Sequence, residues 1–258
     1  MACLLVCKGI MKKKTIIEKT LGIKGDYQYK ALRSHNYLQA NWHANKLLAL
    51  EELINLYQPE AVLDLGAGSG NFELKFYKKI KRVVAVDYNE DALNFLRKKM
   101  KEASIRNVKT YLLDLVNLPK NNKHGKFDMI IMVDVAEHLR RKDFVKIISA
   151  FKKLLNKDGK VVIITPNYQS LWPIIEKAID AFTQIPHLED MQHITKFTPA
   201  NLKQMFISEG FRQVNFSTFN NFSFMFPSKI LSSYFCGLEL KMAFPWGNLI
   251  EAVFEIEL

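Results

Sequence analysis

The chain has 258 residues, of which 48% are hydrophobic and 12% aromatic, enough apolar material for one large core and too much for a disordered chain. No run approaches the roughly 18 apolar residues of a membrane span, and three cysteines, Cys3, Cys7 and Cys236, form neither a disulfide framework nor metal-ligand spacing, so the expected compartment is the reducing cytoplasm. The formal charge of +11 suits acidic partners such as nucleic acid, anionic lipid headgroups or a phosphorylated substrate, while the basic runs at 78–82, 97–101, 140–142 and 152–153 fit solvated helix surface.

In chain order, residues 1–45 are expected to form an N-terminal extension. Its first ten residues are too short an apolar run for a signal peptide, and translation from Met11 is an alternative start. The stretch Tyr27 to His43, with Tyr29, Tyr37 and Trp42, suits either core cover or a substrate lid. Residues 46–258 are expected to form one catalytic domain, beginning with a helix over 46–57 that Pro59 ends. Val62, Leu63 and Leu65 predict a buried strand running directly into Gly66, Gly68 and Gly70. There the backbone can turn tightly and approach a ligand, with free N–H groups at the start of a helix expected over Asn71 to Ile80.

The spacing argues against a dinucleotide. A G-x-G-x-x-G turn needs a third glycine at position 71, where this chain has Asn71; the pattern is instead D-x-G-x-G-x-G from Asp64. A carboxylate so close to the turn would repel a pyrophosphate and suits a ligand carrying an ammonium group. A second buried strand, Arg82 to Asp87, ends in an acid 23 residues after Asp64, where a nucleotide fold needs an acceptor for ribose hydroxyls. A third strand, from Val108, ends in Asp114 and Leu115, a carboxylate for an adenine amino group and an apolar neighbour for the ring.

With these three strand ends in place, the chain resembles the class I S-adenosylmethionine-dependent methyltransferases, in particular the ubiquinone-pathway O-methyltransferase and methyltransferase type 11 group. The resemblance runs from about Ala61 to Phe211. It is carried by Val62-Leu-Asp-Leu-Gly-Ala-Gly-Ser-Gly70, Val86-Asp-Tyr-Asn89, Phe127-Asp-Met-Ile-Ile-Met-Val-Asp-Val-Ala-Glu-His-Leu139, Leu155-Asn-Lys-Asp-Gly-Lys-Val-Val-Ile-Ile-Thr-Pro-Asn167 and Phe197-Thr-Pro-Ala-Asn-Leu202. It implies an α/β, Rossmann-like fold with a seven-stranded, mostly parallel sheet, flanking helices and helical lid insertions. It also implies S-adenosylmethionine as cosubstrate, held by Asp64, Gly66, Ala67, Gly68, Asp87, Tyr88, Asp114, Leu115, Met132 and Val133. In that scheme Asp64 and Gly66 lie by the methionine moiety, Asp87 holds the ribose, Asp114 and Leu115 frame the adenine, and Met132 or Val133 presents backbone to the amino-acid end.

Further along, Asn89 is a suitable N-cap for a helix over Glu90 to Lys101, and a helix over Lys142 to Leu155 precedes a strand over Lys160 to Ile164. Residues 168–192 are too long for an ordinary loop and are expected to be a helical insertion acting as a lid. Thr198-Pro199 opens a helix that Gly210 closes, and strands follow over Phe211 to Phe219 and Ile250 to Glu257. Between those strands, 220–248 is rich in aromatics with adjacent lysines, which suits a helix over the sheet edge or an apolar substrate or membrane-contact surface.

The reacting groups are expected after the fourth strand, whose end adjoins the first at the topological switch point. If the chain turns helical at Asp134, then Asp134, Glu137 and His138 share one face. Three readings stay open. His138, with Glu137 beside it, is a general base for a substrate hydroxyl; or Asp134, Glu137, His138 and His193 hold magnesium or another divalent cation; or the pair orients neighbouring loops. Ubiquinone-pathway O-methyltransferases and small-RNA 2′-O-methyltransferases share an acid-x-x-Glu-His pattern here that implies metal binding, with Glu where this chain has Asp134. The leading expectation is O-methylation of a small-molecule, glycan-like or lipid-like acceptor, with peripheral membrane contact compatible. The alternatives are an RNA 2′-O-methyltransferase, for which no RNA-binding module is recognisable, and a non-catalytic cofactor-binding scaffold subunit.

Overall fold

The computed structural model describes residues 24–120, 125–182, 192–242 and 246–257. Its centre is a seven-stranded sheet of order β3-β2-β1-β4-β5-β7-β6, formed by β1 (Ala61–Leu65), β2 (Arg82–Asp87), β3 (Val108–Leu112), β4 (Phe127–Val133), β5 (Leu155–Pro166), β6 (Phe211–Phe219) and β7 (Leu249–Ile256). Strands β1 to β5 pair in parallel, and β7 runs antiparallel between β5 and β6. The chain order reverses between β1 and β4, which puts the opening for a ligand at their carboxyl ends.

Helices cover both faces because β1, β2 and β4 are almost continuously apolar, as two-sided burial requires. One face packs Leu63, Leu65, Phe127 and Ile130 under α5 (Arg141–Leu154) and α7 (Pro199–Ser208). There Phe206 stacks on Phe254 at 3.8 Å and meets Phe144 and Phe211 edge-on. The other face packs Val62, Val83 and Ile131 under α2 (Tyr37–Tyr57), α3 (Asn71–Phe76) and α4 (Glu90–Glu102). Three further helices complete the described chain: α1 (Tyr27–Leu32), α6 (Trp172–Phe182) and α8 (Lys229–Lys241).

Local signals match the caps. Asn89 accepts from the amides of Asp91 and Ala92 at the start of α4, and Thr198 and Asn201 form a reciprocal capping box around Pro199 at the start of α7. Other boundaries differ from expectation. Helix α3 stops at Phe76 rather than Ile80, and Asn107 Nδ2 donates to the Tyr77 and Ile80 carbonyls beyond its end at 2.7 and 2.6 Å. Helix α2 runs unbroken through the division expected at residue 45, ending only at Gln58 in a left-handed conformation (φ 46°). The expected helical insertions contain α6 and α8, while 183–191 and 243–245, like Cys3 and Cys7, fall outside the described residues.

One buried acid makes stability depend on pH. Glu251 on β7 is 3% exposed; Ser217 Oγ donates to its Oε1 at 3.1 Å, and Oε2 meets no donor. Burial pushes its pKa from 4.5 up to about 8, against the Ser217 hydrogen bond and with help from Glu52. An acid raised in the folded state keeps a proton that the unfolded chain releases, so stability is complete below pH 4.5 and falls as pH rises toward about 8. Glu251→Gln keeps the Ser217 contact and removes this titration. Thermal melts are expected to show the variant more stable than the parent at pH 8 by about 2–4 kcal/mol and equal to it near pH 4.5; curves offset equally at both values would contradict the assignment.

Candidate active site

The first strand leaves the sheet through a turn whose residues 66 and 68 have φ of 89° and 50°, the left-handed region that glycine occupies without cost. Space requires glycine as well: a Cβ on Gly66 would lie 2.2 Å from Val135 Cγ2, and one on Gly68 would lie 2.0 Å from Gln28 Oε1. The Gly66 and Ala67 amides donate to the Val86 carbonyl at 2.7 and 3.1 Å, closing the turn onto the end of β2. Asp87 follows directly. Its two oxygens accept from the Gly68 amide at 2.8 Å and the Asn89 amide at 2.7 Å, so the carboxylate is aimed along the glycine turn. Burial raises its pKa, opposed by these backbone donors. Tyr88 beside it is half-buried, Asp114 and Leu115 are buried at the end of β3, and Met132 and Val133 end β4 beside the turn.

A narrow cleft beside the turn is lined in part by Asp64, Gly66, Ala67, Val133 and Asp134, while Gly68, Asp87, Tyr88, Asp114, Leu115 and Met132 are not among its lining residues. Asp64 faces Glu73 of α3, which is wholly buried and whose oxygens meet no donor from the surrounding chain. Burial drives both carboxyls upward, Asp64 well above its ordinary value and Glu73 to about 7.

The N-terminal segment straps over the same turn. Ser69 Oγ donates to the Gly25 carbonyl at 2.9 Å, the Tyr29 amide donates to Ser69 Oγ at 3.3 Å, and Asn71 Nδ2 donates to the Gln28 carbonyl at 2.9 Å. From α2, His43 and Lys46 line the cleft. Lys46 is 3% exposed and forms an ion pair with Asp134. Burial would raise Asp134, but Lys46, then His43 and His138, hold it below the ordinary carboxylate range; burial, helped by Lys46, pushes His43 down to about 3. Gln28, His43 and Lys46 were not singled out from the sequence. Their signal was the polar set Asn41, Asn45 and Lys46 on the face of α2 that turns out to be buried.

After β4 the chain does not become helical at Asp134, as the shared-face reading required. Asp134 has φ 53°, and only Ala136–His138 forms a single 3₁₀ turn. Asp134 therefore points to Lys46, apart from its expected partners. Glu137, His138 and His193 do come together: one ligand atom from each lies within 4.8 Å of the others, and among the described residues they are the one such group able to hold a metal ion. Thr165 Oγ1 donates to Glu137 Oε2 at 2.9 Å, and the Ile194 and Thr195 amides donate to the Glu137 carbonyl at 2.8 and 2.9 Å, tying the 3₁₀ turn to the segment that carries His193. Burial, reinforced by Asp134 and opposed by His193, lifts Glu137 to about 7.

Each imidazole has an acceptor at its Nδ1, partly buried for His138 and buried for His193. His138 Nδ1 is 2.8 Å from the Gln192 carbonyl, and His193 Nδ1 is 2.5 Å from Glu176 Oε1. A carbonyl accepts only, so His138 Nδ1 carries a proton and, in the neutral ring, Nε2 a lone pair; His193 Nδ1 also lies 3.0 Å from Tyr168 Oη. Glu176 lies on α6, the inserted helix, is 1% exposed, and also accepts from Tyr168 Oη at 2.8 and 3.0 Å. Trp172 of α6 lies 5.1 Å from Trp42 of α2, and Trp42 meets Phe224 edge-on at 5.0 Å, so aromatic rings span the space beside the cluster. A groove of about 300 Å³ at the opposite end of the sheet, lined by Glu60, Asp128 and Lys160 among others, is remote from all the strand-end acids.

A family described as a methyltransferase domain matches residues 35–215. The probable cobalt-precorrin-6B C(15)-methyltransferase (decarboxylating) of Methanococcus vannielii is 33% identical over 75 residues, 29% of this chain and 42% of its own length. The demethylmenaquinone methyltransferase of Lactococcus lactis is 24% identical over 145 residues, 55% of this chain and 54% of its own length; the chain thus spans about half the length of these relatives. Among solved structures, magnesium protoporphyrin IX methyltransferase from Synechocystis with bound S-adenosylhomocysteine superposes with a TM-score of 0.64 at 14% identity, covering 95% of this chain and 100% of that one. Glycine turn, sheet order and family match agree, and the chain belongs to the methyltransferase-domain family.

Proposed function

We propose that this methyltransferase transfers its methyl group to a hydroxyl oxygen of a small-molecule, glycan-like or lipid-like acceptor, and that Glu137, His138 and His193 receive that hydroxyl together with a divalent cation. The observation that carries the reading is the convergence of one carboxylate and two imidazoles, each imidazole with an acceptor at its Nδ1. Two imidazole nitrogens and a carboxylate oxygen suit a divalent transition ion such as zinc, iron or manganese better than magnesium, and the carboxylate held on His193 is the outer support typical of metal-ligating histidines.

S-adenosylmethionine, when bound, supplies a methyl group already activated by the sulfonium charge, so the chain's own task is alignment and exclusion of water. In this reading Asp64, Gly66, Ala67 and Gly68 take the methionine end, Asp87 and Tyr88 the ribose, and Asp114 and Leu115 the adenine, with Met132 and Val133 beneath. Asp64 and Asp134 in the cleft lining favour the positive charges of this cosubstrate, with Lys46 and His43 beside them. A divalent cation at the cluster would lower the acceptor hydroxyl's pKa. Trp42, Trp172 and Phe224 offer an apolar wall to the rest of the acceptor. A second reading, transfer to an RNA 2′-hydroxyl, is favoured by the net charge of +11 and would use the same cluster.

Turnover of S-adenosylmethionine with panels of hydroxylated small molecules and with RNA separates the two readings by which panel reacts. His138→Ala and His193→Ala are each expected to lower kcat about 100-fold or more while leaving calorimetric binding of S-adenosylhomocysteine unchanged. Full activity of chelator-treated enzyme, with His138→Ala inactive, would instead make His138 a metal-free base. Asp87→Ala is expected to weaken S-adenosylhomocysteine binding about 10- to 100-fold, the loss of charge-assisted hydrogen bonds; unchanged affinity would remove Asp87 from the site. Glu176→Leu, which is expected to touch neither reactant, should weaken manganese binding about 10- to 100-fold, and equal affinity in parent and variant would show that His193 does not depend on it.

A further inference from the structure

Helix α8 is packed inside out. The side chains it buries are Ser232 and Cys236, while Ile230 is 82% exposed, Tyr234 62% and Met242, just past its end, 62%. Leu231, Phe235 and Leu238 are exposed on the same face, and Phe222, Met225 and Trp246 extend the apolar surface beside it. A 13-residue helix normally turns its apolar stripe to the core. Here Cys236 and Leu240 reach the core, and the rest of the inward side is polar: Ser232 Oγ donates to Asn45 Oδ1 at 3.3 Å, and Asn45 Nδ2 in turn donates to Asn220 and Ser223 at 2.7 and 3.2 Å. The outward apolar face is thus held in place by a buried hydrogen-bond network.

The charges on this helix are one-sided. Its two exposed charged residues are Lys229 and Lys241, one at each end. Its acid, Glu239, is turned inward and accepts from the amides of Asn221, Phe222 and Ser223 and from the Ser223 hydroxyl. An apolar stripe carrying Tyr and Trp and flanked by lysines suits the headgroup boundary of an anionic bilayer. A second copy fits less well, because antiparallel pairing of two such helices would bring the Lys229 end of one against the Lys241 end of the other. We propose that the outward face of α8, with Phe222, Met225 and Trp246, docks this protein on an anionic lipid surface. The docking is peripheral: no described helix is long and apolar enough to cross a membrane. It does not rest on the identity of the acceptor.

The test is flotation of the full chain with vesicles of mixed phosphatidylglycerol and phosphatidylcholine, beside vesicles of phosphatidylcholine alone. The parent is expected to float with the anionic vesicles, less with the neutral ones, and to be released by high salt. Ile230→Ser with Tyr234→Ser should abolish flotation without lowering the melting temperature, since both side chains are largely exposed. Lys229→Gln and Lys241→Gln should each weaken it about fivefold, the effect of one basic residue near an anionic surface. Failure of the parent to float would overturn the proposal. So would light scattering that shows a dimer which the serine variant dissolves, since the face would then be an interface between copies.

Discussion

The constraint on which this structure turns is the burial of carboxylates along one edge of a sheet. Asp64, Asp87, Asp114 and Glu137 are each at most 6% exposed, with Glu73 behind them. Burying a charge costs several kcal/mol unless a partner or a proton offsets it. Backbone amides serve Asp87 and Asp114, a hydroxyl and a histidine serve Glu137, and Lys46 pairs with the partly exposed Asp134, while burial pushes the carboxyls of Asp64 and Glu73 upward. An acid-rich cleft in a protein of net charge +11 is an environment in which a bound sulfonium and ammonium are favoured over an anion, and it explains why a turn resembling a phosphate cradle belongs to a methyltransferase.

The sheet supplies only half of that environment. The glycine turn and the strand-end acids come from β1 to β4, but Lys46 and His43 come from α2, the strap over the turn from the segment around Gln28, and Glu176 from α6. Each is anchored by polar contacts rather than by apolar packing alone, so it can orient a group without burying it uselessly. The ring contact between Trp42 and Trp172 joins the two added helices over the cluster.

The same economy appears at the far side of α2. Asn41 holds the Phe224 and Phe226 carbonyls at 3.2 and 2.7 Å, and Asn45 organises Asn220, Ser223 and Ser232. A polar seam between α2 and the 220–242 region fixes direction, whereas a seam of interchangeable apolar contacts would let α8 rotate its hydrophobic stripe inward. This single helix therefore carries the cleft on one end of its buried face and the outward-facing aromatic surface on the other.

By itself the sequence determined the strands, the glycine turn and the order of Asp64, Asp87 and Asp114, because apolar runs ending in glycine or acid are local patterns that depend on few neighbours. The capping residues Asn89 and Thr198 were legible for the same reason. Tertiary structure decided the rest. Asp134 reads as one face of a helix with Glu137 and His138, but a buried lysine 88 residues earlier in the chain draws it away, and no local spacing encodes that. His193 and Glu176 meet across an insertion, and the polar face of α2 makes sense only once the 220–242 region lies on it. Charge pairing and burial act through space, so those partners became visible only when the fold had brought them together.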